Sequence, residues 1–123
     1  MNNKTQNRFK EIHFELEEQI KLVAKEATRV LNNYHTKHRL CLNSGNLEDE
    51  NLLAIEAEWS KKDQTLKTLK QIHKVLKNNR IVSGVYDTEA IDRELMSYTI
   101  LSVQKELDDI AKLFASYREK LFN

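Results

Sequence analysis

Residues 100–121 read ILSVQKELDDIAKLFASYREKL, and within them Ile100, Val103, Leu107, Ile110, Phe114, Tyr117 and Leu121 alternate steps of three and four without a miss. That spacing holds the apolar side chains on one side of a helix and is the strictest heptad in the chain. Upstream, Ile91, Leu95 and Tyr98 sit roughly 100° or more around the same helix from that seam. The stretch therefore predicts one helix over about 88–122, capped by Asp87 or Thr88 and touching two neighbours in its first half.

Two further helices lie upstream, because the chain of 123 residues has no proline and is divided only by Gly45 and Gly84. In the first stretch Phe9, Ile12, Leu16, Ile20, Val23, Ala27, Val30, Tyr34 and Cys41 form a continuous apolar stripe with one gap at His38. A helix over about 5–42 would run to about 55 Å. Gly45, in the polar cluster Asn43–Asn46, can take the left-handed conformation that ends it. The second helix, about 47–80, opens on Glu48, Asp49 and Glu50 with Asn46 as candidate cap. Its stripe is Leu52, Ile55, Trp59, Leu66, Leu69, Ile72 and Leu76. Ile81, Val82 and Val85, around Gly84, form an apolar loop expected to tuck over the end of the bundle.

Charge placement orients these helices. Residues 46–58 carry five acids and no base, whereas 60–80 carry seven bases against Asp63 alone. Antiparallel packing brings Lys37 and Arg39 to the acidic start of helix two and Glu11, Glu15, Glu17 and Glu18 to its basic end. A third helix running back sets Asp87, Glu89, Asp92 and Glu94 beside the basic end, and Arg118 and Lys120 beside the acidic start. Exposed pairs contribute only about 0–1 kcal/mol each, so they select a topology more than they stabilise it. The expected fold is all-α: one domain over 1–123, an antiparallel up-down-up bundle of three long helices. Its rival is a helical hairpin that completes its core by dimerising.

Composition excludes several functions. A net charge of +1 gives no global attraction to nucleic acid or anionic lipid. The single cysteine, Cys41, rules out an internal disulfide and suits a reducing compartment. The absence of a run of about 18 apolar residues argues against a membrane span, and the polar start Met1–Gln6 is unlike a secretory signal. A cytoplasmic location is the expectation. No Gly-x-Ser-x-Gly, P-loop or dinucleotide-binding pattern occurs, so no enzyme activity, small-molecule substrate or cofactor is expected.

His35, His38 and Cys41 recur every three residues, but steps of three rotate side chains by about 60° each, so the outer two diverge by about 120°. No Glu-x-x-His pair exists either, and no metal site is expected. Lys67, Lys70, Lys74 and Lys77 could track a phosphate backbone, yet the antiparallel register gives them acidic neighbours, which leaves nucleic-acid binding a subordinate reading. More telling are apolar residues off the stripes: Phe14, Leu22, Leu53, Tyr98 and Leu101. Phe14 and Leu22 lie two turns apart on one side and suit a partner helix or a homodimer contact, with Tyr98 and Leu101 as further partner-binding candidates.

Several short matches carry a resemblance. Asn7-Arg8-Phe9 precedes an amphipathic helix, Ile55-Glu56-Ala57-Glu58-Trp59 follows in the second helix, and Leu66-x-x-Leu69-x-x-Ile72 leads through a loop to Asp87-Thr88-Glu89-Ala90-Ile91-x-Arg93. Together they resemble the N-terminal three-helix domain of syntaxin-six-type SNARE proteins. The resemblance implies a cytosolic regulatory domain that binds tethering or other trafficking factors, with an anchored SNARE helix beyond residue 123. The loop Leu42-Asn43-Ser44-Gly45-Asn46-Leu47-Glu48 is also similar to that of small helical type III and flagellar export chaperones, which hold an export substrate's terminal helix. Both imply protein binding without catalysis.

Overall fold

The computed structural model describes residues 3–45 and 50–123. Its regular elements are all helical: α1 (Asn3–Ser44), α2 (Glu50–Asn78), α3 (Thr88–Gln104) and α4 (Asp108–Phe122). Gly45 and Gly84 both take positive φ, 78° and 84°, where a side chain would be strained. Asp87 caps α3, its Oδ1 accepting from the Ala90 amide at 3.2 Å. The expected caps of α2, Asn46 and its acidic neighbours Glu48 and Asp49, lie outside the described residues.

The first two helices follow their stripes. Phe9, Ile12, Leu16, Val23, Ala27, Val30 and Cys41 of α1 are buried, as are Leu52, Leu69, Ile72 and Leu76 of α2. Their antiparallel register appears in side-chain pairs: Glu17 meets His73 at 3.1 Å and Glu26 meets Lys62 at 3.2 Å. With 42 and 29 residues, these helices outreach α3 and α4, which have 17 and 15. Ala27, Val30, Cys41 and Leu52 are accordingly buried apart from the main core.

The third predicted helix is two helices. Glu106 takes φ 58°, the left-handed region, and the chain closes α3 with the Leu107 amide donating to Ser102 O (2.8 Å) and the Glu106 amide to Val103 O (3.0 Å). This is a Schellman-type stop with a non-glycine residue at its left-handed position. Asp108 and Asp109 then sit in the first turn of α4, where a helix dipole favours acids. The reason for the break lies in the two apolar faces noted above. Ile91 and Leu95 lie on one side of a continuous helix and Phe114, Tyr117 and Leu121 on another; folding α4 back against α3 buries both sets in one core. The seam is therefore split. Its second half is buried or half-buried, while Ile100, Val103 and Leu107 in its first half are exposed.

The reversal also moves the charges. Arg118, expected beside the acidic start of α2, pairs with Asp92 on α3. Glu94 of α3 does reach the basic end of α2, where Asn79 Nδ2 donates to its Oε1 at 3.0 Å.

The loop between α2 and α3 departs from expectation in the residue that fills it. Ile81 and Val82 are exposed, and Tyr86 is the fully buried side chain. Its ring packs 5.5 Å from Phe9, which in turn meets Phe122 edge-on at 5.4 Å. Gln6 fixes Tyr86 by accepting from its amide at 2.7 Å and donating to its carbonyl at 3.0 Å, as a neighbouring strand would.

Candidate functional site

Two features stand out: a polar cluster between α1 and α2, and an apolar stripe on α3. The cluster begins with His13 and Glu17, one helical turn apart on α1 and so on one face. Antiparallel packing sets His73 of α2 against them, with the two imidazole rings edge-on at 4.7 Å. His73 Nε2 lies 3.1 Å from Glu17 Oε1, and His13 Nε2 lies 3.6 Å from the same oxygen. On its other side His13 Nδ1 is 2.7 Å from the Tyr86 hydroxyl. His13 Nε2 is buried without a hydrogen-bond partner.

Electrostatics follow from that packing. Burial, and next the neighbouring His73, pull the His13 pKa below the ordinary histidine value; Glu17 opposes this and Arg80 adds to it. The hydrogen bond from His73 chiefly holds the Glu17 carboxyl below its usual range. Burial pushes the Tyr86 phenol up. Arg80 stays close, its guanidinium 4.9 Å from the Tyr86 ring centroid and its Nε donating to Gly84 O at 3.1 Å.

The stripe on α3 comprises Met96, Ile100 and Val103, spaced four and three, and Leu107 lies just past the helix end; all four are exposed, between 37% and 56%. Leu101 is also exposed, beside a shallow groove shared with Arg93, Ser97 and Gln104. Of the partner-surface candidates, Phe14 and Leu22 are exposed on α1 at 63% and 52%, and Leu101 on α3 at 46%. Tyr98 is not of that kind: its ring stacks on Phe114 at 5.3 Å and packs against the core. Phe14 and Leu22 thus lie on α1 and Leu101 on α3, on different helices.

The other sequence candidates are dispersed. His38 stacks on Tyr34 at 5.7 Å, His35 meets the same ring edge-on at 5.8 Å, and Cys41 is buried. Among the described residues the one group able to gather three ligand atoms is His13, Glu17 and His73. Sequence reading missed it by following spacing within α1 alone, although the helical register already placed Glu17 opposite the end of α2. The lysine stripe differs from expectation too: Lys67 pairs with Asp63 of its own helix at 3.0 Å, and no ion pair among the described residues joins Lys70, Lys74 or Lys77 to an acid of another helix. No helix is long and apolar enough to cross a membrane, among the described residues.

Comparison with protein-family models, with curated proteins and with solved structures found no match in any of the three.

Proposed function

We propose that this chain is a non-catalytic protein-interaction module that receives an amphipathic helix of a partner protein on α3. The observation that carries the reading is the exposed stripe Met96, Ile100 and Val103 on α3, extended past the helix end by exposed Leu107 and uncovered by any helix among the described residues. Such spacing is complementary to a second helix, which covers a seam at i, i+4 and i+7. A trafficking role, with a tethering factor as partner, follows from the SNARE resemblance; an export-chaperone role, with an exported subunit's helix, follows from the second resemblance. Both use the same kind of surface and differ in what occupies it.

The test is a photo-crosslinker at Ser97, used in an extract of the source cells, with the wild-type chain and an Ile100→Ser/Val103→Ser variant. Both substituted side chains are exposed, so the fold should persist, as circular dichroism would verify. The reading expects one protein, crosslinked through a helical segment, that the variant loses. Capture unaffected by the substitutions would overturn it, and a self-dimer dispersed by them would make a second copy the occupant.

A second reading has its own observation. Lys70, Lys74 and Lys77 are exposed and recur along one side of α2, as a phosphate-tracking stripe would. It predicts binding to single- or double-stranded nucleic acid that weakens steeply with salt and is lost on Lys70→Gln/Lys74→Gln substitution.

A further inference from the structure

We infer that His13, Glu17 and His73 form a binding site for one divalent transition-metal ion of zinc's class, joining α1 to α2. The site is independent of the stripe on α3.

The donor set suits such an ion. Two imidazole nitrogens and one carboxylate oxygen match zinc, nickel, cobalt or ferrous iron, and not calcium or magnesium, which take oxygen ligands. The spacing suits it as well. An ion with tetrahedral bonds of about 2.0–2.1 Å separates its ligand atoms by about 3.3–3.4 Å. Here Glu17 Oε1 lies 3.1 Å from His73 Nε2 and 3.6 Å from His13 Nε2, and all three ligand atoms fall within 4.8 Å of one another. Side-chain rotations would bring them onto one ion.

His13 supplies the second, independent sign. A metal-bound histidine typically anchors its other ring nitrogen, which fixes both tautomer and ring plane. His13 does this through Nδ1, held at 2.7 Å by the Tyr86 hydroxyl, and Tyr86 is itself clamped by Gln6. With the proton on Nδ1, His13 presents a bare lone pair at Nε2, the one buried side-chain polar atom without a hydrogen bond among the described residues. Leaving that atom unpaired costs stability; a metal ion would satisfy it. Glu17 is about half exposed and His73 a quarter exposed, which opens a path from solvent and leaves a fourth position for water. On binding, His73 gives up its Nε2–H···Glu17 hydrogen bond: through exchange with solvent its neutral ring takes the tautomer with the proton on Nδ1, which frees the Nε2 lone pair for the metal.

The ion would act as a cross-helix clamp. It binds the folded arrangement and not the open chain, so it stabilises the fold in proportion to its concentration.

The experiment uses the full, tag-free chain stripped with a chelator and titrated with Zn2+, then with Co2+ for its visible absorption. One equivalent should bind at micromolar or lower concentration, raise Tm, and give the intense bands of low-coordinate Co2+. Glu17→Gln and His73→Gln, both at partly exposed positions, should each weaken binding by at least about tenfold. A His35→Gln/His38→Gln variant should bind as tightly as wild type. No uptake by the wild-type chain, unchanged affinity in His73→Gln, or loss of binding in His35→Gln/His38→Gln would each overturn the site.

Discussion

Arg118 of α4 donates through Nε to the carboxylate of Asp92 on α3, across 26 residues of chain. In one unbroken helix those residues would stand about 39 Å apart. The pair thus reports the chain reversal directly. Both side chains are more than a third exposed, so the pair marks the turn without being its main support. A double-mutant cycle with Arg118→Ala and Asp92→Ala should give a coupling of about 0.2–1 kcal/mol by chemical denaturation. Zero coupling at low salt would argue that the two never meet.

Glu106 provides a sharper discrimination. At φ 58° a glycine avoids the steric cost that a β-carbon brings, so Glu106→Gly should stabilise the chain by about 0.5–1 kcal/mol. In the interior of a continuous helix the same change would destabilise by about 1 kcal/mol. The sign of the shift in denaturation midpoint decides between the two.

Gln6 should prove costly to remove, although it sits near the start of α1. Its amide satisfies both backbone groups of buried Tyr86, and Gln6→Ala strands them. A loss of about 1–3 kcal/mol is expected, against less than about 0.5 kcal/mol for Asn7→Ala on the exposed side. Equal effects in the two variants would contradict the assigned role.

Alkaline pH should weaken the fold through Tyr117. Burial, with a smaller contribution from Glu15, raises its phenol above the ordinary value of 10.0. The unfolded chain then releases that proton first, so the stabilisation is complete below pH 10 and is lost as pH rises towards the folded-state pKa. Stability followed between about pH 9 and 11 should fall more steeply for wild type than for Tyr117→Phe. Parallel curves would exclude the contribution.

Much of the fold was legible where one periodic signal ran unopposed. The α1 stripe from Phe9 to Val30 and the α2 stripe from Leu66 to Leu76 are buried, with Ile20 and Leu66 half-buried, and the charge reversal along α2 matches the antiparallel register of α1 and α2. The break at 105–107 was obscured because an unbroken heptad from Ile100 to Leu121 outweighed two local signs: Asp108-Asp109 as a first turn, and the misaligned face of Ile91 and Leu95. A seam can continue in sequence while its halves face different surroundings, since periodicity records sidedness and not what lies opposite. Tyr86 was equally hard to read, because its burial depends on Gln6 and Phe9, both remote in sequence. The His13–Glu17–His73 cluster needed a residue from each of two helices at one level, a relation that spacing within a single helix does not display.

α4 folds back on α3 and leaves Met96, Ile100 and Val103 exposed. A distance between spin labels at Glu89→Cys and Glu119→Cys, in a Cys41→Ser background, tests this reversal most directly. Packed antiparallel helices with axes about 8–10 Å apart place the labels within about 25 Å. A distance near 45 Å, as one continuous helix would give, would contradict the account.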